Sequence, residues 1–376
     1  MKKTSIRIIA LMLITAMLLA GCGNAASNST PSTTAAPTAT DAPAAPAATD
    51  APAEVKVAVC GGKAGATSFA DEGIAGADRA RAELGIVVDY VECETNEDYE
   101  TNGRFLAESG EYDAILFVSS SVADIVALFC DDYPDQKFTV IDCRLEGHDN
   151  VRSTSAVNGE QAFLSGVLCG LITTGEYADV FPMSNDSNVL CYAGGMDSPT
   201  SREGAAGFMA GARYVNPTVE ILYTIVGGYT DPATAKEISL LGIDKGADVC
   251  TGNCGSGIKG ILEACKERGA YYIATSPADN DVNQSLCCSV KKTDVMVYNE
   301  IKTVLDGQWA PGHQQFGIAS GVCDISFEGT LYEGGIPEDI QAIINQVRQD
   351  VIDGKITMPA DVNDVDAWTA ENQYSK

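Results

Sequence analysis

From Glu54 onward, short apolar runs alternate with amphipathic segments, and this alternation constrains the fold more than any other feature of the chain. Residues 114–118 are apolar at every position, which is typical of a parallel strand buried on both faces of a sheet. Segments with helical spacing follow, such as 69–84, which ends before Gly85. The strand–helix alternation occurs twice, so the sequence predicts an α/β protein with two doubly wound parallel-sheet lobes joined by a hinge.

The predicted elements are distributed evenly between residues 55 and 275. The strands are expected at 55–60, 86–91, 114–118, 138–141, 189–193, 219–226, 247–251 and 271–275, and the helices at 69–84, 96–109, 122–132, 160–173, 199–213, 232–245 and 257–268. A further amphipathic helix is expected at 336–352. Ser68 with Asp71 and Ser121 with Asp124 have capping-box spacing, while Ser198-Pro199 and Asp231-Pro232 place a cap residue before a proline.

The first 21 residues have the pattern of an export signal. Lys2 and Lys3 precede the apolar run 8–20, which is too short to span a bilayer of about 30 Å. The run ends in Leu-Ala-Gly-Cys, which resembles a bacterial lipobox, so we expect a lipid anchor (palmitate) at Cys22. The alternative is an ordinary cleaved signal with a cysteine there by chance. With the lipid anchor, the protein would face the extracytoplasmic side of the cell membrane.

Four further segments complete the predicted organisation. Residues 22–53 hold the lipidated cysteine and a stalk rich in Ala, Pro and Thr, whose lack of aromatic residues and of apolar periodicity predicts disorder. Lobe 1 is expected at 54–158 and lobe 2 at 159–288. Residues 289–376 are expected to form a hinge return and a C-terminal segment that packs back on the lobes. The two lobes are expected to close on a ligand by movement of hinge segments near 154–160 and 285–290.

Charge and cysteine content restrict the partners and the covalent chemistry. The net charge of −28 argues against nucleic acid as a partner and against binding to anionic lipid, apart from the anchor. Many of the 13 cysteines lie inside apolar runs, which favours buried thiols. Some disulfide bonds remain the alternative in an exported protein, and 250/254 and 287/288 are the closest pairs in sequence. The adjacent cysteines 287 and 288 would point to opposite faces of a strand, which argues against a bond between them.

Catalytic motifs are not found in the sequence. His148 and His313 are the only histidines, and they are far apart in sequence, so neither a catalytic triad nor a metal site is predicted. Cys250 and Cys254 have no second ligand pair nearby, which makes a zinc site improbable. Residues 255–260 read Gly-Ser-Gly-Ile-Lys-Gly, so a dinucleotide site is an alternative. No acidic residue ends the next predicted strand, however, and no cofactor is expected.

An ordered set of motifs then points to a family. Residues 194–199 read Gly-Gly-Met-Asp-Ser-Pro, residues 207–212 read Gly-Phe-Met-Ala-Gly-Ala, and residues 227–232 read Gly-Gly-Tyr-Thr-Asp-Pro. Gly-Ser-Gly at 255–257 and Ser-Val-Lys-Lys at 289–292 follow in order. This set resembles the basic membrane protein family, whose members are substrate-binding lipoproteins of ABC importers related to purine nucleoside receptors. Agreement is good over about 189–307 and weaker back to residue 55.

The resemblance implies a type I periplasmic-binding-protein fold that closes on a ligand between its lobes. By the same resemblance, Phe69 and Tyr229 would hold a flat ring and Lys291 would hold a ribose. The full set of predicted ligand-binding residues is Ser68, Phe69, Asp71, Ser119, Ser120, Tyr229, Gly255, Ser256, Asp279 and Lys291. The chain departs from the family at Ala70, where an Asn is usual, and at Ser276, where the ribose-binding Asp is usual.

The expected function is therefore capture of a nucleoside or purine-like molecule for an ABC permease and its ATPase, by a monomer that is not an enzyme. A different small polar metabolite in the same fold, or a ligand sensor without transport, are the alternatives. A Rossmann-like enzyme is a further alternative, but the sequence shows no residue that would transfer a proton.

Overall fold

The computed structural model describes residues 55–65 and 68–375, apart from the side chain of Ser68. The predicted signal, Cys22 and the stalk lie outside the described residues. Within the described part of the chain, no helix is both long enough and apolar enough to cross a membrane.

The described strands and helices alternate as the sequence predicts. The strands are β1 (Lys56–Gly61), β2 (Val87–Glu92), β3 (Ala114–Val118), β4 (Phe138–Ile141), β5 (Val151–Ala156), β6 (Val189–Gly194), β7 (Glu220–Ile225), β8 (Ala247–Asn253), β9 (Tyr271–Ala274), β10 (Ser285–Lys291), β11 (Gly312–Phe316) and β12 (Cys323–Ser326). The helices are α1 (Ser68–Leu84), α2 (Asn96–Ser109), α3 (Ala123–Ala127), α4 (Asn158–Ile172), α5 (Pro199–Val215), α6 (Pro232–Asp244), α7 (Ile258–Arg268), α8 (Thr293–Leu305), α9 (Glu338–Ile352) and α10 (Val365–Glu371).

The strands form two six-stranded sheets in the described residues. The sheet of lobe 1 has the order β11-β5-β4-β3-β1-β2 and is parallel throughout. The sheet of lobe 2 has the order β12-β10-β9-β8-β6-β7, and only β12 is antiparallel to its neighbour. The predicted α/β class with two doubly wound lobes is confirmed. Strands β5, β10, β11 and β12 were not predicted. Two of them, β5 and β11, are mostly polar and so lack the apolar pattern of a strand.

Both faces of the central strands are buried, which explains their unbroken apolar sequences. In β1, Val57 and Val59 pack into the core that runs on into lobe 2, while Ala58 and Cys60 pack into a second core on the other face. Helices cover both faces of such a sheet, so no position along the strand is left for a polar residue.

Helices α4 and α5 make the most extensive contact between helices in the described residues, and glycines make it possible. A Cβ atom on Gly207 would overlap the carbonyl of Gly159, and one on Gly211 would overlap the carbonyl of Phe163. From the other side, a Cβ on Gly166 would overlap the carbonyl of Phe208. The glycines of the 207–212 motif are therefore required by backbone-to-backbone packing.

Two of the predicted helix starts are confirmed and one is wrong. Ser198 and Asp231 cap α5 and α6 by accepting hydrogen bonds from Ser201 N and Thr234 N. The capping box at Ser121 does not form, because α3 begins at Ala123 after Val122, which makes no side-chain cap. The predicted helix 122–132 is also too long: α3 ends at Ala127, and a separate 3-10 turn follows at Cys130–Asp132.

Over residues 68–375 the chain passes between the lobes three times. The first passage lies at Val157, between β5 and α4, and the second at Lys292, between β10 and α8. The third, between β11 and β12, lies beyond the segments at which closure was expected. It is tied to the first because the Glu160 carboxylate accepts a hydrogen bond from Ile318 N at 2.6 Å.

All twelve described cysteines are free thiols, and all but Cys143 are buried. Cys191, Cys250 and Cys265 adjoin one another in the core of lobe 2 without a disulfide bond. Among the described residues, the structure therefore agrees with buried thiols rather than with a disulfide framework.

Candidate functional site

A cavity of about 860 Å³ opens between the two lobes. Its walls come from segments that follow β3, β4 and β5 in lobe 1 and β6 and β7 in lobe 2, where open α/β sheets bind ligands. The lining residues are Ser120, Ser121, Ala123, Asp124, Asp142, Cys143, Arg144, Ser155, Ala156, Asn158, Ser198, Pro199, Thr200, Glu203, Tyr229, Lys291, His313, Gln315 and Ala360. Hydroxyl, carboxylate and amide groups predominate among the polar members.

An ion pair joins the lobes inside this cavity. Lys291, at the end of β10, places its Nζ 2.7 Å from Oδ2 of Asp142, the first residue after β4. The same ammonium lies 5.5 Å from the ring centroid of Phe69, close enough for a cation–π interaction. Phe69 itself is partly buried in the core behind the cavity.

Among the described residues that line the cavity, Tyr229 carries the aromatic ring, and this residue is partly exposed. The residue is 41% exposed, and its hydroxyl is 3.5 Å from Ser198 Oγ. The ring lies against Gly195, where a Cβ atom would overlap it, and the Tyr229 carbonyl approaches Gly255, which has φ +58°. Two glycines thus create the slot that orients this ring.

The N-terminal ends of α4 and α5 meet at the floor of the cavity. Glu203, in the first turns of α5, accepts hydrogen bonds from Asn158 Nδ2 at 3.4 Å and from Gly159 N at 3.5 Å. A carboxylate near helix N-termini is stabilised by the free N–H groups there. Asn158 and Glu203 therefore offer the cavity both a donor and an acceptor.

His313 lies at the edge of the cavity on β11, between two serines of β5. Its Nδ1 is 2.9 Å from Ser153 Oγ, and its Nε2 is 3.1 Å from Ser155 Oγ. Burial, and to a lesser degree the charge of Arg144, lower the pKa of this imidazole. A neutral His313 can both donate and accept a hydrogen bond.

The structure brings six of the ten predicted ligand-binding residues to the cavity wall or next to a residue of that wall. Ser120, Tyr229 and Lys291 line the cavity, and Phe69 lies beside Lys291. Gly255 and Ser256 adjoin Tyr229, since Ser256 Oγ donates to the Tyr229 carbonyl at 3.3 Å.

Three further predicted residues, Asp71, Ser119 and Asp279, are not among the described residues that line the cavity. Asp71 accepts a hydrogen bond from Gly65 N, and Ser119 accepts one from Ser121 N. Asp279 lies at a separate depression that Lys259 and Tyr272 also line. The side chain of Ser68 is outside the described residues.

The glycine-rich segment 255–260 is explained by packing. Gly255 lies against the Tyr229 backbone, and a Cβ atom on Gly260 would overlap the carbonyl of Pro232 at the start of α6. These glycines allow the turn and the close approach of α6 and α7, so the motif needs no dinucleotide to account for it.

Comparison with known sequences identifies the family of the chain that carries this site. The family model for PnrA-like ABC transporter substrate-binding proteins, called Bmp, matches residues 54–358. The chain belongs to the Bmp family. The resemblance seen in the motifs is thereby confirmed.

Individual relatives agree with this membership. The Bmp-family chain is 27% identical over 326 residues to an uncharacterised lipoprotein of Pyrococcus furiosus, covering 80% of each chain. It is 23% identical to the ABC transporter nucleoside-binding protein BmpA of Lactococcus lactis, covering 72% of this chain and 78% of that protein. Among solved structures, an ABC transporter solute-binding protein of Aeropyrum pernix superposes with a TM-score of 0.62 at 25% identity, covering 85% of this chain and 99% of that one.

These comparisons confirm the periplasmic-binding type of fold and the absence of an enzyme activity in the family, whose members are solute-binding proteins. A Bmp-family protein takes a small-molecule ligand and works with an ABC transporter.

Four residues of the cavity wall were not among the predicted site residues: Asp142, Asn158, Glu203 and His313. Asp142 directly follows the predicted strand 138–141, so the rule that selected Ser119 could have found it. His313 lies on a polar edge strand for which the sequence has no signal.

Proposed function

We propose that this Bmp-family protein binds a nucleoside in the cavity between its lobes and delivers it to an ABC importer. The observation that carries the proposal is that Tyr229 of lobe 2 and the Lys291–Asp142 pair border one cavity of about 860 Å³. An exposed aromatic ring suits a flat base, while charged and hydroxyl groups suit the hydroxyls of a sugar. The nucleoside-binding BmpA relative supports this choice of ligand.

The charges that line the cavity favour a nucleoside over a nucleotide. Asp124, Asp142 and Glu203 contribute three carboxylates, whereas the permanent cations are Lys291 and Arg144. Because Lys291 is already paired with Asp142, a phosphate group would meet more negative than positive charge.

The pattern around Cys22 and the names of relatives bear on where the protein is located in the cell. The relatives from Pyrococcus are named lipoproteins, and the sequence around Cys22 has a lipobox pattern. We propose a signal peptide at 1–21, a lipid anchor at Cys22 and an extracytoplasmic monomer that the segment after Cys22 tethers near its permease.

A ligand screen tests the proposed function. The purified full chain is titrated with adenosine, guanosine, inosine, their free bases, ribose and the corresponding 5′-monophosphates, and its melting temperature is recorded. A native-state ligand at about 100 times its Kd adds about 2.7 kcal/mol of stability, so nucleosides should raise the melting temperature. The monophosphates should raise it less.

Variants of Tyr229 assign the binding to this cavity. Base stacking contributes about 1–3 kcal/mol, so Tyr229→Ala should weaken nucleoside binding by about 5- to 150-fold in calorimetric titration. Tyr229→Phe keeps the ring and serves as the matched control, with affinity close to that of the original chain. A rise in melting temperature with ribose but with no nucleoside would contradict the nucleoside and favour a different polar metabolite.

A further inference from the structure

Three side chains with metal-binding atoms lie together on lobe 1, at the end of the sheet opposite the cavity. Cys130 and Asp131 belong to the 3-10 turn that follows α3, and His148 precedes β5. Helix α3 begins with Ala123 at the cavity wall, and the turn lies beyond its other end, near the start of β4. The cluster is therefore separate from the ligand cavity.

The three atoms have the separations that a shared ion requires. His148 Nδ1 is 2.8 Å from Asp131 Oδ1 and 3.3 Å from Cys130 Sγ, and Cys130 Sγ is 3.8 Å from Asp131 Oδ1. A point about 2 Å from all three atoms exists for a triangle of these sides, close to zinc–nitrogen and zinc–oxygen bond lengths and slightly below about 2.3 Å for zinc–sulfur.

The backbone around the cluster is held in place by a buried amide. Asn150 Nδ2 donates to the carbonyl of Cys130 at 2.8 Å and to the carbonyl of Tyr133 at 2.9 Å. Asn150 thus joins the turn that carries Cys130 and Asp131 to the segment that carries His148. Ligands pre-positioned in this way lose little conformational freedom when an ion binds.

We propose that Cys130, Asp131 and His148 form a Zn²⁺ site outside the ligand cavity. A thiolate and an imidazole select a borderline cation such as zinc over Mg²⁺ or Ca²⁺, which prefer oxygen ligands. Three protein ligands leave the fourth tetrahedral position to water. When the metal–sulfur bond forms, the proton of the Cys130 thiol passes to the solvent. The ion would link the end of the α3 segment to the β4–β5 connection and stabilise lobe 1.

Cobalt titration tests the site, because Co²⁺ replaces zinc and absorbs light. The purified full chain is treated with a chelator, dialysed and titrated with Co²⁺. We expect one tetrahedral Co²⁺ per chain with a thiolate-to-cobalt charge-transfer band, and loss of both signals when Zn²⁺ is added. Absence of the band in the original chain would overturn the proposal.

Variants show which residues hold the ion. Cys130→Ser should abolish the charge-transfer band, and His148→Gln and Asp131→Asn should weaken Co²⁺ binding at least tenfold. Since Asp131 is exposed and His148 is partly exposed, these last two variants test the site even if Cys130→Ser does not fold. Cys143→Ser and His313→Ala are the matched controls and should bind as the original chain does. An unchanged band in Cys130→Ser, or unchanged affinity in both other variants, would overturn the assignment.

Discussion

Lys291 Nζ lies 2.7 Å from Asp142 Oδ2, so an ion pair connects the end of β10 in lobe 2 to the end of β4 in lobe 1. Asp142 has φ +67°, a backbone conformation that is uncommon outside glycine. Such strain is concentrated at ligand-binding sites, where the surrounding contacts maintain it. The pair is thus a contact between the lobes and, under the proposed function, part of the ligand site.

Replacing Lys291 should therefore affect ligand binding. Hydrogen bonds to charged groups contribute about 1.5–3 kcal/mol, so Lys291→Met should weaken nucleoside binding by at least about tenfold. Lys292→Met is the matched control, because Lys292 is more exposed and its Nζ is 3.9 Å from Asp324. Calorimetric titration measures the nucleoside affinity of both variants. Equal affinities in Lys291→Met and Lys292→Met would show that Lys291 is not part of the ligand site.

Because α4 and α5 pack so closely, adding one methyl group at their contact should lower the stability of the fold strongly. In Gly211→Ala the new Cβ atom would overlap the Phe163 carbonyl, and backbone atoms cannot rotate away. We expect a loss of about 2–3 kcal/mol in the free energy of unfolding, measured by urea denaturation. Gly228→Ala is the control, since no atom lies within 4 Å of its Cβ position, and it should change stability by less than about 0.5 kcal/mol. Similar losses in both variants would contradict the close approach of the helices.

The pair Arg152–Glu300 connects the start of β5 to α8 inside lobe 1. Arg152 Nε is 2.7 Å from Glu300 Oε2, and Nη2 is 3.2 Å from Oε1, with the Glu300 side chain wholly buried. Glu300→Gln leaves the buried guanidinium without its carboxylate and should cost about 3–5 kcal/mol. The double variant Arg152→Met, Glu300→Leu removes both charges and should regain most of that loss. Denaturation of the two variants provides the test, and an equally unstable double variant would contradict the argument from burial.

Asp248 predicts a pH dependence of stability. Burial raises the pKa of this carboxyl to about 6, although Asn185 N and the Thr173 hydroxyl donate to it. An acid whose pKa rises on folding contributes stability that is present below its unfolded pKa of about 3.9 and is lost as the pH rises through about 6. The original chain should therefore lose up to about 3 kcal/mol relative to Asp248→Asn between about pH 4 and pH 7.

Urea denaturation of both chains across that pH range measures the difference. Asp135→Asn changes an exposed carboxylate and is the control; its profile should run parallel to that of the original chain. Parallel profiles for Asp248→Asn as well would show that Asp248 does not titrate on folding.

Sequence reasoning succeeded where local chemistry alone determines an element. The bounds of α2, β3 and β4 were predicted to the residue, because a helix cap, an unbroken apolar run and buried surface on two faces each leave a local pattern. It failed for β5 and β11, whose polar sequences form strands only because they pair with each other, about 160 residues apart in the chain.

The candidate site, too, was predicted only in the part that local sequence patterns determine. Motifs in the sequence identified the family and selected Tyr229 and Lys291, because each of these residues lies within a short motif of neighbouring residues, 227–232 and 289–292. Glu203 and His313 joined the cavity, and Cys130, Asp131 and His148 came together, only through tertiary contacts. The sequence by itself thus determined the strand–helix order and the family, because both depend on patterns among residues that are neighbours in the chain. The side chains that face one another across the cleft were decided by packing between segments distant in sequence, which no local pattern records.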